Sequence, residues 1–434
     1  MPVETAPKRL LVVQIAGLGL NLSRRPELAD ALSGLTGNPL LPPFPALTCT
    51  AQATFRTAHD PDVHGIVANG WLDRLTHRTT FWEQSADLVS GPRIWEALRS
   101  RGGRVAILFW QQSLGESVDR LISPAPIHKH GGGLVDTCYS RPEPLYPSLV
   151  RQLGSPFKLR HYWGPFASAR SSRWIARATA AVMAGTLAEA PDLCLTYLPA
   201  LDYDLQRRGP GHPKSAQALC ALAGDLLILR ESCDRHGYDL LAWGDYAIAP
   251  AAGGPLFPNR ILREAGLLQT RTIGGRLYPD LHSSRAFAVV DHQIAHIYLR
   301  DPDASSCVRD LLAACGDIQS RDSLPALHHP RSGELILSAP PGRWLAYPWW
   351  SRRREAPDYA AHVDIHNKPG YDPCELFLGW PPGTVTLNPN RIGGVHGLVG
   401  AGQEACWLST CLRPQTHSLR SLAEETRRHL ETLK

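Results

Sequence analysis

The feature that most limits what this chain can become is a series of short, unbroken apolar runs separated by stretches of helical periodicity. The runs are "RLLVVQIAGL" (9–18), "RVAILFW" (104–110), "LCLTYL" (193–198), "YDLLAWG" (238–244), "AFAVVD" (286–291) and "AHIYL" (295–299). Between several of them lie "GPRIWEALRSRG" (91–102), "SSRWIARATAAVMAGTLAEA" (171–190) and "PKSAQALCALAGDLLILRESCDRHG" (213–237). A strand that is apolar throughout must be covered on both faces, and helical crossovers between parallel strands supply that cover. The expectation is an α/β fold: a mostly parallel sheet flanked by helices. After about residue 260 the runs shorten, and "DPDASSCVRDLLAACGDIQS" (301–320) reads as strand-helix-strand. We therefore read residues 1–260 and 346–415 as the α/β core, 261–345 as a smaller α+β insertion, and 416–434 as a C-terminal helix. Residues 346–400 are rich in Pro, Gly, Trp and Tyr and poor in periodicity, the texture of an irregular segment that carries function.

Composition narrows the partners. The chain has 434 residues, 43% of them hydrophobic, and a formal net charge of +5. No basic arm is present, and "SRRRE" (351–355) reads as a solvated face, so a nucleic acid polymer is not expected. No apolar stretch reaches the ~20 residues that span a bilayer. The first apolar run is broken by Gln14 and has no clean cleavage site after it, so it reads as a buried strand rather than a leader. Ten cysteines without CxxC pairs read as reduced thiols, which points to the cytoplasm.

In parallel sheets, ligands bind beyond the C-terminal ends of the strands. There the sequence places "QIAGLGLN" (14–21), "PALDYDLQRRGP" (199–210) and "GDYAIAP" (244–250), and later "HVDIHNKPGYDPCELF" (362–377) and "GGVHG" (393–397). Asp202, Asp204, Asp245, Asp364, His366 and His396 are thus candidates to converge on a divalent cation. Each alone is more simply a turn or cap residue; Asp364 and His366, two apart, can share one strand face. The stretch "PALTCTAQATFRTAHDPDVHGIVANGW" (45–71) is dense in threonine. Either one of these threonines is a nucleophile or the segment is only a polar loop, and Thr48 can in addition cap a helix beginning near Gln52. "DHQIAH" (291–296) reads as a structural hydrogen-bonding pair before a ligand pair, and "HKHGGG" (128–133) as a loop before a phosphate contact. Trp71, Trp82, Trp110, Trp163 and Trp349 read mostly as core, with one or two free to stack on a ring. Arg207, Lys368 and Arg391 are candidate partners for an anion.

In order, "LTCTAQAT", "PDVHGIVANG", "LDYDLQRRGP", "GDYAI" and "HNKPGYDP" resemble the nucleotide pyrophosphatase/phosphodiesterase branch of the alkaline phosphatase superfamily, over roughly residues 9–397. The resemblance implies a threonine nucleophile at Thr48, with the Cys49 amide and Asn69 holding the substrate. It also implies two zinc ions bound by six side chains. Asp202, Asp245 and His366 match ligand positions. Three others do not: the acid after the first strand is Ala16, and two histidines are Gln206 and Tyr246. An amide or phenol shifts preference toward oxygen-seeking ions. The expectation is one divalent ion (zinc, magnesium or manganese) on the Asp202–His366 side, with Gln206, Tyr246, Asp364 and His396 as additional donors and Asp204 and His64 as reserves. The expected activity is a phosphoryl-transfer hydrolase acting on phosphoric ester or anhydride bonds of a small phosphorylated or nucleotide-linked metabolite. The alternative is a catalytically degenerate member that binds a phosphate ligand or serves as a scaffold. A phosphomutase or other transferase on the same fold has no distinct motif here.

Overall fold

The computed structural model describes residues 9–413 and 417–433; residues 1–8, 414–416 and 434, parts of the expected core and tail helix, lie outside the described residues. The strands of the two principal sheets are β1 (Arg9–Ile15), β2 (Asn38–Leu40), β3 (Val105–Leu108), β4 (Arg120–Pro124), β5 (Cys138–Arg141), β6 (Leu193–Leu198), β7 (Tyr238–Gly244), β8 (Ala286–Asp291), β9 (Ile294–Leu299), β10 (Asp317–Ser320), β11 (Leu335–Ser338) and β12 (Ala405–Ser409). The helices used below are α1 (Thr48–Thr57), α2 (Arg170–Met183), α3 (Ala200–Arg208), α4 (Pro213–His236), α5 (Ser305–Leu312) and α6 (Leu419–Thr432).

The eight-stranded sheet runs β2-β12-β7-β1-β6-β3-β4-β5. Its five central strands, β7 to β4, are parallel, and β12, β2 and β5 add antiparallel pairings at the edges. In register, Val12 of β1 lies between Leu195 of β6 and Leu241 of β7. All three are fully buried, as an apolar strand covered on both faces requires. Helix α4 starts with Pro213 at its first turn, where a missing N–H costs nothing, and stops at Gly237 in the left-handed region (φ 70°). The helical pattern over 91–102 yields only Glu96–Ser100, bracketed by Pro92 on one side and Gly102 and Gly103 on the other.

A second, four-stranded antiparallel sheet, β8-β9-β11-β10, occupies residues 286–338 with α5 inside its connection. Helix α1 joins the two cores. Ala51 and Phe55 pack into the cluster of the large sheet, Cys49 and Ala53 into that of the small one, and every residue of α1 is buried. The first turn of α1 is therefore fixed from both sides. Among the described residues no helix is long and apolar enough to cross a membrane, and no disulfide joins the cysteines.

Candidate functional site

Leu47 is extended (φ −133°, ψ 153°) and Thr48 is the first helical residue of α1, so the helix begins at the threonine rather than near Gln52. The Thr48 hydroxyl thus sits at the positive end of a helix dipole. It lies 3.2 Å from Tyr246 OH and 3.4 Å from Asp245 Oδ2. The next amide, Cys49 N–H, donates to Asn69 Oδ1 at 3.0 Å. Asn69 in turn gives its own N–H and its Nδ2 to the two oxygens of Asp291, at 2.9 and 3.2 Å. Asn69 is a strut between the start of α1 and the end of β8.

Asp245 follows β7 and is completely buried. Its Oδ1 accepts Gly17 N–H at 3.0 Å and its Oδ2 accepts Gln14 Nε2 at 2.8 Å. Asp202, in the first turn of α3, accepts Tyr246 OH on Oδ1 at 3.2 Å and Gln206 Nε2 on Oδ2 at 2.6 Å. Tyr371 OH completes the chain by donating to Gln206 Oε1 at 2.8 Å. Burial pushes both carboxyls up to about 7, although these donors pull the other way.

The histidines divide. His366 is exposed, and its Nδ1 turns to Phe81 O at 3.1 Å; it shares the cavity wall with Asp202 but no hydrogen bond. Asp364 accepts both amide groups of Asn367. His396 instead stacks flat on Tyr246 (centroids 3.5 Å apart, 4°), and His292 stacks between His396 at 3.7 Å and Tyr371 at 3.8 Å. Burial holds both imidazoles well below their usual range, so the 4.0 Å approach of His396 Nε2 to Asp202 joins a neutral ring to the carboxyl. Of "DHQIAH", His296 is structural: Nε2 meets Val67 O and Nδ1 accepts Gly333 N–H. His64 is structural too, bonded to Thr54 Oγ1 and Ile66 N–H. Gln14, Asp291, His292 and Tyr371 fall within stretches that the sequence singles out, but not as site residues; what ties them to the site is packing between segments far apart in the chain.

Thr48, Asp202, Gln206, Tyr246, His292 and Tyr371 line a cavity of about 620 Å³. Asp245 lies behind Thr48, outside the lining. Trp82, Tyr162, Trp163, Phe166, Tyr197 and Tyr203 supply rings to the wall. Trp71, Trp110 and Trp349 are core. Among the described lining residues Arg160 is the sole arginine or lysine. Arg207 is spent on the carbonyls of Gly164, Ala167 and Leu376, Lys368 on Asp372 and Glu375, and Arg391 on Phe377 and Leu378 O. Apolar lining side chains reach solvent, including Phe166 (58% exposed) and Leu378 (55%).

The family described as type I phosphodiesterase / nucleotide pyrophosphatase matches residues 10–372. No curated protein matches the chain. Among solved structures, murine ectonucleotide pyrophosphatase / phosphodiesterase 5 is 14% identical with a TM-score of 0.62, over 98% of this chain and 96% of that one. The same murine protein, as an inactive variant in complex with AMP, is 13% identical with the same coverage and TM-score. Phosphonoacetate hydrolase from Sinorhizobium meliloti, in complex with phosphonoformate, is 16% identical with a TM-score of 0.64, again over 98% and 96%. At these identities the structures speak for the fold.

Enzymes of this family typically depend on a divalent metal, usually zinc. The donors around Thr48 do not fit a two-metal centre. Ala16, fully buried, offers no ligand atom. Tyr246 OH stands between Thr48 Oγ1 and Asp202 Oδ1, 3.2 Å from each. Both oxygens of Asp202 and of Asp245 already accept protein hydrogen bonds. Asp202 Oδ1 with His396 Nε2 makes two donors, short of the three or four side chains that hold a resident zinc.

Proposed function

The chain belongs to the type I phosphodiesterase / nucleotide pyrophosphatase family, and from that premise we propose that it hydrolyses a phosphoric ester or anhydride through Thr48. The substrate is a small phosphorylated metabolite whose alcohol or nucleoside part is aromatic or apolar. The observation that carries this reading is the placement of the Thr48 hydroxyl on the cavity wall at a helix N-terminus, with Asp245 3.4 Å behind it. In the first step Thr48 Oγ bonds to phosphorus, its proton passes to Asp245, and the bond from phosphorus to the leaving oxygen breaks. Tyr246 OH and the start of α1 face the charge that develops on the phosphoryl oxygens. A phosphoryl oxygen takes over the Cys49 N–H only by displacing Asn69 Oδ1. In the second step water bonds to phosphorus and gives up a proton to solvent, the bond from phosphorus to Thr48 Oγ breaks, and Asp245 returns its proton to Oγ. The ring-lined wall and the apolar rim support an aromatic or apolar group on the substrate.

A second reading, a ligand-binding member without turnover, is favoured by one observation: the carboxylates, Tyr246 and the Cys49 amide already have hydrogen-bond partners within the protein, the last of them Asn69. The deciding experiment is release of 4-nitrophenol from bis(4-nitrophenyl) phosphate by chelator-treated protein, with mass spectrometry for the 4-nitrophenyl phosphoryl adduct on residue 48. Turnover that Thr48→Ala abolishes supports the hydrolase. Calorimetric binding of the ester with neither release nor adduct selects the binding protein.

A further inference from the structure

At the opposite end of the large sheet from Thr48, three side chains from three separate segments meet. Asp239 is the second residue of β7, Cys411 follows β12, and His429 lies in the last turn of α6. One carboxylate oxygen, the thiol sulfur and one imidazole nitrogen lie within 4.8 Å of one another, and among the described residues no other trio of His, Cys, Asp and Glu does so. Asp239 and Asp245 are six residues apart on β7 and its end, about 20 Å at the rise of a strand. The site is therefore separate from the cavity.

We propose that Asp239, Cys411 and His429 form a zinc-class metal site that fastens α6 to the sheet. A thiolate, an imidazole and a carboxylate together suit zinc, and the sulfur argues against magnesium or calcium. The positions are set by backbone pairing. Thr410 Oγ1 donates to Asp239 Oδ1 at 3.0 Å and accepts Leu240 N–H at 2.9 Å, and Ser409 Oγ donates to Leu240 O at 2.9 Å and accepts Cys411 N–H at 3.1 Å. Cys411 Sγ lies 3.4 Å from Ser409 Oγ. His429 Nε2 is buried without a hydrogen-bond partner. Tetrahedral zinc sets its donors roughly 3.5 Å apart, within small adjustment of a trio whose atoms lie no more than 4.8 Å from one another. On binding, the thiol gives its proton to solvent and the metal–sulfur bond takes its place.

The test titrates the chelator-treated full chain with cobalt(II) and follows the thiolate-to-cobalt band in the near ultraviolet. The expected result is one tight equivalent with that band, displaced by zinc, unchanged in Asp202→Asn and lost in Cys411→Ser. Should Cys411→Ser not fold, as judged by circular dichroism, His429→Gln at the partly exposed helix end takes its place and should lose the tight equivalent. A wild-type chain that takes up no cobalt overturns the proposal. So does a band that survives the Cys411 or the His429 substitution.

Discussion

Asp245 meets the threonine hydroxyl with a carboxyl held near neutrality by burial, at about 7. A base poised there is charged in half the molecules at pH 7 and still strong enough to accept a hydroxyl proton. Hydrolysis of an aryl phosphodiester should therefore rise with pH through about 7 and level off above it. Asp245→Asn should lower kcat/KM by about 10²–10⁴-fold and remove that limb; a pH profile that keeps its limb in the variant would assign it to another group, with Asp202 the first to examine. Asp202 and Asp245 could be found in the sequence because each follows an apolar run at the end where parallel strands deliver ligands, and Thr48 because its segment resembles the family's. Gln14 could not, since its bond to Asp245 spans 231 positions. Nor does the spacing of Asp364 and His366 reveal that His366 Nδ1 turns to Phe81 O. Side-chain direction in an irregular segment follows from packing, which periodicity does not encode.

At the level of elements, the site depends on how closely β1 and β7 end together. A Cβ on Gly244 would lie 2.0 Å from Leu18 O and 2.8 Å from the Leu18 carbonyl carbon, so the loop after β1 crosses directly over the end of β7. That crossing brings Gly17 N–H to Asp245 Oδ1. Gly244→Ala must push backbone from backbone. It should cost about 1–3 kcal/mol or more in chemical denaturation and detach Asp245 from its donors. An unchanged unfolding midpoint would mean that the crossing is looser than described. The central parallel strands and α2, α4 and α6 were legible because their patterns are long and their caps explicit, such as Pro213 and Gly237 around α4. The antiparallel edges were not: β2 is three residues, Asn38–Leu40, and it joins the sheet only by pairing with β12, whose residues lie more than 360 positions later. A pairing of that range leaves no local signal.

Over the whole molecule, burial of ionisable groups shapes stability against pH, and two opposed sets contribute. Burial raises Asp202 and Asp245 from 3.8 to about 7 and Asp291 to about 6. A carboxyl with a raised folded-state pKa holds its proton in the fold after the unfolded chain has lost it. Its contribution is therefore full below about pH 4 and is lost as pH rises to about 7. Buried His64, His292 and His396 are lowered by burial and act in the other sense, since they must stay neutral in the fold while the unfolded chain is protonated below 6.5. Their penalty shrinks as pH rises toward 6.5, so the two sets offset one another in the native profile. Removing one carboxyl separates them. Asp245→Asn keeps the shape of the side chain, and Gln14, whose Oε1 is buried without a partner, can turn its amide to accept from the new Nδ2. Relative to the native chain, the variant should gain stability with pH by on the order of 1.4 kcal/mol per unit between about 4 and 7, and no more above that. Urea unfolding at stepped pH measures the difference directly. A flat difference across that window would mean that Asp245 is ionised throughout, held by a positive charge that none of Gln14, Gly17 and Thr48 supplies, and the case against a resident cation beside Thr48 would fall with it.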